Sequence, residues 1–538
     1  MRAQGARLSG AERRAVAEYL TGKTMAGDVR GAETGRCAAA DQPPAARASS
    51  PRWAGWSPAP ANTRFQTSDF AGLSAADVPK LALQWSFGFP DASVAWSQPT
   101  VAGGRVFVGS QNGTVYALDA RSGCIRWTYS ARGGVRTAIA IGPAVGAAPP
   151  AAYFGDTAAN LYAIDADSGR ELWVRKVDEH PLARITASPT VHEGRVYVGM
   201  SSYEESQGAD PQYGCCTFRG SVTALDAANG AVVWRTVLIT DPLVERGTST
   251  AGVKLWGPSG SAIWSSPTID AARRRVYVAT GNGYSGPPQP SSNAVIALDL
   301  ATGALRWTRQ VTPGDVYVSN CRAGNPNCPE MNGPDVDFGS PPMLTRAASG
   351  RDLIVIGQKS GVGYALDPDK DGAIVWQYRA GRGGLLGGIE WGSSVDGERA
   401  YFAVSDVTTP QPGGLHAVSL ASGTALWTAP PPPVACAAGR GCVAAQSSAL
   451  TVIPGVVFSG SFDGALRAYS TATGDVLWSF DTNRAFTAVN GVPAKGASIG
   501  GPGPAIAGGM LFVNSGYGAF LGRPGNVLLA FGLNDGSR

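Results

Sequence analysis

IALDLATGALRW, residues 296–307, reads as a strand, a tight turn between Asp299 and Gly303, and a second strand that ends in Trp307. The same phrase recurs along the chain: YALDARSGCIRW at 116–127, YAIDADSGRELW at 162–173 and TALDAANGAVVW at 223–234. It returns with one extra residue as YALDPDKDGAIVW at 364–376, and more loosely as HAVSLASGTALW at 416–427 and RAYSTATGDVLW at 467–478. Upstream of each copy lies another alternating pair, as in PTVAGGRVFVGS before Asn112-Gly113 and LTVIPGVVFSGS before Asp463-Gly464. Each unit therefore holds four antiparallel strands, and four-stranded sheets repeated every ~40–50 residues specify a β-propeller, because each sheet buries its faces only against its neighbours.

The last unit, PAIAGGMLFVNSGYG followed by NVLLAFGLNDG, stops at the turn without a Trp-ended strand. KLALQWSF at 80–87 has the missing strand's pattern, with Trp85 in the Trp position and no ALD-type strand before it. Pairing the two ends completes an eighth blade and removes the open sheet edges. The fold class is all-β, an eight-bladed propeller over residues 53–538 whose eight repeat Trp residues dock neighbouring blades. Residues 1–52 lie outside it. LSGAERRAVAEYLTG at 8–22 reads as a short amphipathic helix carrying Leu8, Val16 and Leu20, followed by a Pro/Ala/Ser linker.

Charged residues make up 16% of the chain and the formal net charge is +4, so the composition is that of a turn-rich β protein. The one dense basic run is Arg273, Arg274 and Arg275 at a strand start, which leaves no nucleic-acid footprint. No stretch approaches the ~18 apolar residues of a membrane span. The N-terminus lacks the apolar core of a secretory signal, so export is argued from the cysteines instead. Cys215-Cys216 are adjacent, and Cys321/Cys328 and Cys436/Cys442 are short-spaced pairs in Gly/Pro-rich loops, compatible with three local disulfides and an oxidising compartment. The alternatives are reduced loop thiols or a metal site, but three His give no zinc-type spacing. Cys37 and Cys124 are left without an assigned partner.

Strand parity puts the residues entering each first strand and those leaving each second strand on one face. The first set includes Trp96, Thr186, Trp264 and Gly501, and the second includes Glu204, Glu205, Asn282 and Lys359. Blades three and four replace a two-residue turn there with ESQGADPQYGCC and GYSGPPQPSS, and the next blade is entered through CRAGNPNCPEMNGPDVDFGSPP. Loops lengthen where they bind something. Oxygen ligands (Glu204 or Glu205, Asn282, Asp337), a cation (Lys359), a flat ring (Trp264) and a vicinal Cys pair thus share one face, and Ca²⁺ suits such carboxylate and amide oxygens.

These motifs resemble the quinoprotein alcohol dehydrogenases that use pyrroloquinoline quinone (PQQ), and within them the polyvinyl alcohol dehydrogenases. GCCTFRGSVTALD, ATGNGYSG, GPDVDFGSP and SIGGPGPAIAGGMLFVNSGYG carry the likeness. The resemblance implies a PQQ resting on Trp264 beneath a Cys215–Cys216 disulfide, contacted by Thr186, Ser201 and Arg219. It implies Ca²⁺ on Asn282, Asp337 and a Glu, which Glu204 fits without a gap and Glu205 with one inserted residue. Asp337 matches the catalytic base, with Glu205 or Glu390 next in line, and Lys359 the basic residue near the quinone oxygens. Gly339 stands where lanthanide-using relatives carry a second Asp, so calcium is expected. Trp96 departs from the usual Glu or Gln. The implied partners are an alcohol, polymeric or small, and a c-type cytochrome, in the periplasm or outside the cell. The relatives resemble a cytochrome fused to the propeller; this chain has no CxxCH, and its first helix resembles the last helix of such a cytochrome. The competing reading is a non-catalytic propeller scaffold like the outer-membrane assembly lipoproteins, which needs neither the Cys pair nor the Asp/Asn/Glu set.

Overall fold

The repeat begins with turn chemistry. Asp119 Oδ1 accepts the N–H groups of Arg121 and Ser122, and Gly123 closes the turn at φ 74°. Asp165, Asp226 and Asp299 repeat the arrangement. The computed structural model describes residues 34–38, 52–142, 150–330, 332–434, 436–437, 439 and 441–534. In it these hairpins are the outer halves of eight four-stranded antiparallel sheets. Blade 1 runs Thr100–Ala102, Arg105–Gly109, Thr114–Asp119 and Ile125–Ser130 from the axis outward, and the next six follow in chain order. Blade 8 is the split one: Leu81–Gly88 pairs with Val527–Leu533, from Leu81 opposite Leu533 to Gly88 opposite Val527.

Seven of the eight terminal Trp rings lie on the turn of the next blade, while Trp478 faces the split blade and donates to Leu81 O. A Cβ on Gly123 would fall 2.7 Å from the Trp85 ring, one on Gly169 2.8 Å from Trp127, and one on Gly303 2.5 Å from Trp234. Glycine is thus required there twice, for a positive φ and for the ring that covers it. Seven of the indoles also donate to a main-chain carbonyl of the neighbouring blade at 2.9–3.3 Å.

The base of the axis is closed by residues 52–66, a feature with no local signature in the sequence. Ile141, Ile269, Leu344 and Val395, each second in its blade's innermost strand or level with it, donate their N–H to Ala54, Pro60, Ala61 and Thr63. Trp53 pairs with Val101 and Phe65 with Val452, and Gln66 Nε2 donates to Ile506 O. The arm thereby bonds to seven of the eight innermost strands. Arg64, fully buried, anchors it: its guanidinium donates to Leu450 O, Trp56 O, Gln98, Thr451 and Pro504 O and lies on the Trp53 and Trp56 rings, 5.2 and 4.8 Å from their centroids. Burial without a carboxylate lowers its pKa to about 9.

The helix expected at residues 8–22 lies outside the described residues. Part of the expected linker does not hang free. Cys37 forms a disulfide with Cys124, Arg36 bridges to Ile125, and Thr34 Oγ1 donates to Asn490 O. The helices among the described residues are short segments such as Ser68–Ala71 and Glu204–Gln207, and none is long and apolar enough to cross a membrane.

Candidate active site

Counting four residues back from the start of each innermost strand gives Trp96, Arg136, Thr186, Trp264, Gly339, Glu390, Ser447 and Gly501. This ring of equivalent positions circles the axis, and most of its members line a cavity. Trp264 lines it, and a Cβ on Gly339 would meet the far edge of that indole at 2.3 Å. An Asp at position 339 would therefore displace the ring. Trp391 meets Trp264 edge-on at 5.0 Å, and the Arg136 guanidinium covers Trp391 at 4.3 Å. Arg136 escaped the sequence reading because blade 2 has Ile139 in place of the Pro on which blades 1, 3, 4 and 8 were aligned.

Beside the ring, Glu205, Asp335 and Asp337 bring carboxylate oxygens within 4.8 Å of one another. Asp337 is held by two donors: the Asn282 N–H reaches Oδ1 at 2.7 Å and Trp264 Nε1 reaches Oδ2 at 3.0 Å. A Cβ on Gly281 would strike that carboxylate at 2.8 Å, so the TGN turn admits Asp337 only because its middle residue is glycine. Lys359 Nζ donates to Asp335 Oδ1 at 2.6 Å. The sequence reading missed Asp335, two residues before Asp337 in PDVDFG and held at φ 56°.

The candidates Glu204 and Glu205 separate. Glu204 is fully buried, with Oε1 accepting Tyr213 Oη and the Thr217 N–H, both at 2.7 Å, and Oε2 accepting the Phe218 N–H at 2.8 Å. Its lone pairs are engaged in fixing the loop after the Cys pair, and it stands outside the carboxylate cluster. Glu205, one step on in the helical turn, faces the cluster and is braced by Ser319 Oγ at 3.1 Å.

Burial is the largest influence on all three clustered carboxyls and raises each pKa, with Asp335 pushed up to about 7. Burial also opposes the Lys359 ammonium, but Asp335, Asp337 and Glu205 more than reverse it and raise its pKa. One ammonium among three carboxyls leaves the cluster short of positive charge. Asn282 adds a directed oxygen: Nδ2 donates to Gly283 O and Tyr317 O, while buried Oδ1 has no partner among the described residues. Three clustered carboxylates, and an unpaired amide oxygen on the residue whose N–H holds Asp337, are the donor types a hard cation takes.

Thr186 Oγ1 and Ser201 Oγ are 2.8 Å apart. Arg219 donates through Nη1 to Ile239 O at 3.4 Å, while its buried Nε and Nη2 lack partners among the described residues, leaving a guanidinium edge free for an anion. Cys215 and Cys216 are buried and joined to each other, packed with Phe218, Tyr284 and Val318. Cys321–Cys328 and Cys436–Cys442 are also paired, so with Cys37–Cys124 no cysteine is free. The native chain should take up no thiol reagent until reductant is added. Mass-mapped labelling at Cys215 or Cys216 before reduction would contradict the pairing.

Residues 53–378 match the family model described as the β-propeller domain of glucose/ethanol/alcohol dehydrogenases, and residues 411–538 match that of the outer membrane protein assembly factor BamB. The chain is 42% identical over 507 residues to a polyvinylalcohol dehydrogenase of a Pseudomonas sp., covering 91% of this chain and 78% of the relative. It is 40% identical over 504 residues to the enzyme of the same name from Sphingopyxis sp. (strain 113P3), covering 90% and 76%. Among solved structures, the quinohemoprotein alcohol dehydrogenase ADHIIG from Pseudomonas putida HK5 superposes with a TM-score of 0.68 at 18% identity, covering 95% of this chain and 84% of that one. At that identity the likeness concerns the fold.

Proposed function

Because the chain belongs to the PQQ-dependent alcohol dehydrogenase family, we propose that it oxidises secondary hydroxyl groups of polyvinyl alcohol or a similar alcohol, using Ca²⁺, and passes the electrons to a c-type cytochrome. The observation that carries the finer reading is the meeting of Glu205, Asp335, Asp337, Lys359 and the orphaned Asn282 Oδ1 beside Trp264. A non-catalytic scaffold has no use for two buried carboxyls, a third half-buried beside them and an unpaired amide oxygen, each of which costs folding energy.

Glu205, Asp337 and Asn282 Oδ1 would hold Ca²⁺, while Trp264, Thr186, Ser201, Arg136 and Arg219 would hold PQQ under the Cys215–Cys216 pair. When bound, PQQ supplies the acceptor for the hydride of the alcohol carbon, and Ca²⁺ supplies a Lewis acid beside it. Asp337 takes the hydroxyl proton, a general-base role worth ~10²–10⁴-fold. Its two donors, Asn282 N–H and Trp264 Nε1, keep the carboxylate oriented. Lys359 opposes negative charge developing at the site, with Asp335 fixing its ammonium. Four disulfides fit folding in an oxidising compartment, and we place the protein in the periplasm or outside the cell.

The chain loaded with PQQ and Ca²⁺ should reduce a small dye when given polyvinyl alcohol or short secondary alcohols. No alcohol-driven reduction with both cofactors present would overturn the reading, and activity confined to primary alcohols or sugars would move the substrate class.

Ca²⁺ affinity should also depend on pH in a set direction. Burial raises the pKa of the ligand carboxyls Glu205 and Asp337 and of their neighbour Asp335, the last to about 7, so on the acid side of neutrality the empty cluster retains protons that the ion must expel. Binding should therefore tighten as pH rises through that range, with proton release. Calorimetry in two buffers of different ionisation enthalpy measures both; equal affinity on either side of neutrality with no released proton would contradict it.

A further inference from the structure

A short series of aromatic rings runs from the cavity to solvent. Trp264 meets Trp391 at 5.0 Å, and Trp391 meets Phe520 at 6.4 Å, with Tyr517 touching both Trp391 and Phe520. Phe520 is 52% exposed. It has φ 49° and Leu521 has φ 74°, a region that bulky side chains rarely enter. Packing sustains the turn, since Leu521 joins Leu386 and Val443 against Val407, Ala445 and Phe462. The Phe520 ring is thereby held outward while its half-buried neighbour packs inward. Leu385, beside Leu386, is 46% exposed. Arg382 is exposed at the start of that loop, and the one carboxylate on loops 382–389, 406–413 and 517–525, Asp406, is buried, capping the N–H groups of Arg382, Gly383 and Gly388. The patch is apolar with a cationic edge.

We propose that Phe520 and Leu385 form the docking point for a soluble one-electron redox protein with an acidic surface, and that Trp264, Trp391 and Phe520 carry electrons to it. The proposal rests on the alcohol-oxidising reading. Converting one hydroxyl to a carbonyl breaks a C–H and an O–H bond and releases two electrons and two protons. Two encounters, each with one oxidised partner, remove one electron apiece, and the protons pass to solvent. Electron transfer weakens steeply with distance, so an acceptor too large for the cavity is best placed where a ring in contact with the site reaches the surface. A polyhydroxylated substrate would need hydrogen-bonding groups that these apolar side chains lack, and the arginine edge selects an acidic partner.

The test uses the PQQ- and Ca²⁺-loaded enzyme with an acidic bacterial c-type cytochrome as probe, a basic mitochondrial cytochrome c as charge control, and a small dye as a third acceptor. Phe520→Ala should weaken binding of the oxidised acidic cytochrome, measured without alcohol, and its reduction rate by about tenfold, the loss of one hot-spot contact. Dye-linked turnover should hold within about twofold, because surface docking is not used there. Phe520→Trp should restore both cytochrome readouts, and Arg382→Glu should weaken acidic-cytochrome binding most at low salt. Unchanged cytochrome binding and rate in Phe520→Ala would overturn the proposal. So would a raised KM for polyvinyl alcohol in the dye assay with the cytochrome unaffected, which would assign the patch to substrate. If the wild type oxidises no alcohol, the functional reading fails separately, while the binding measurement still reads the docking surface.

Discussion

Asp337→Asn should lower kcat of the loaded enzyme by about 10³-fold or more, the scale of a lost general base compounded by a lost charge in the cation site. The change keeps the side chain's size and removes its function. Asn can offer Oδ1 to only one of the two donors that hold the carboxylate, Asn282 N–H and Trp264 Nε1, and its amide hydrogens then face the other. It also takes one negative charge from a cluster in which Glu205 and Asp335 already resist ionisation. The apoprotein should therefore fold as well as wild type, and the loss should appear in turnover and Ca²⁺ affinity. Near-native Tm with turnover within tenfold of wild type would move the base elsewhere. Glu390 is then the next carboxyl to test: buried, on the same axial ring, and pushed up to about 7 chiefly by burial.

The parts of this molecule that were legible in the sequence are those fixed by local, periodic chemistry. An Asp-x-x-x-Gly turn is written in five residues, and its repetition with a terminal Trp sets blade number, strand order and the split eighth blade. Trp264, Asn282 and Lys359 could be singled out as candidates because they occupy aligned positions on the repeat, and Asp337 because it sits in a loop long enough to mark itself. Glu204 and Glu205 could not be separated, because consecutive residues in a helical turn point about 100° apart and only the surrounding loops decide which faces inward. Asp335 depends on one positive-φ residue in an irregular loop and on a lysine 24 positions away. The Cys37–Cys124 disulfide spans 87 residues, and the axial arm is held through Arg64 by carbonyls 386 and 440 positions distant, so neither leaves a local pattern.

The second large effect concerns the blade contacts. Trp307→Ala should destabilise the protein by ~3–5 kcal/mol, the cost of a cavity left by a buried Trp. The indole is 8% exposed, lies 5.7 Å from the Tyr277 ring, and covers Gly372, where a Cβ would fall 2.7 Å away. It also differs from its seven equivalents. Blade 5 carries the extra residue of YALDPDKDG in the turn that Trp307 covers, and among the described residues its indole N–H is the one without a carbonyl partner, whereas Trp376 Nε1 donates to Leu420 O at 2.9 Å. Trp307→Phe, which keeps a ring and has no hydrogen bond to lose, should therefore cost about 1 kcal/mol less than Trp376→Phe, the net worth of one buried hydrogen bond. Urea unfolding of the three variants against wild type reads both differences. If Trp307→Ala proves as stable as wild type, the packing of this ring on Gly372 does not hold blades 4 and 5 together. If the two Phe variants lose equal stability, the carbonyl bonds contribute nothing beyond the stacking of ring on turn.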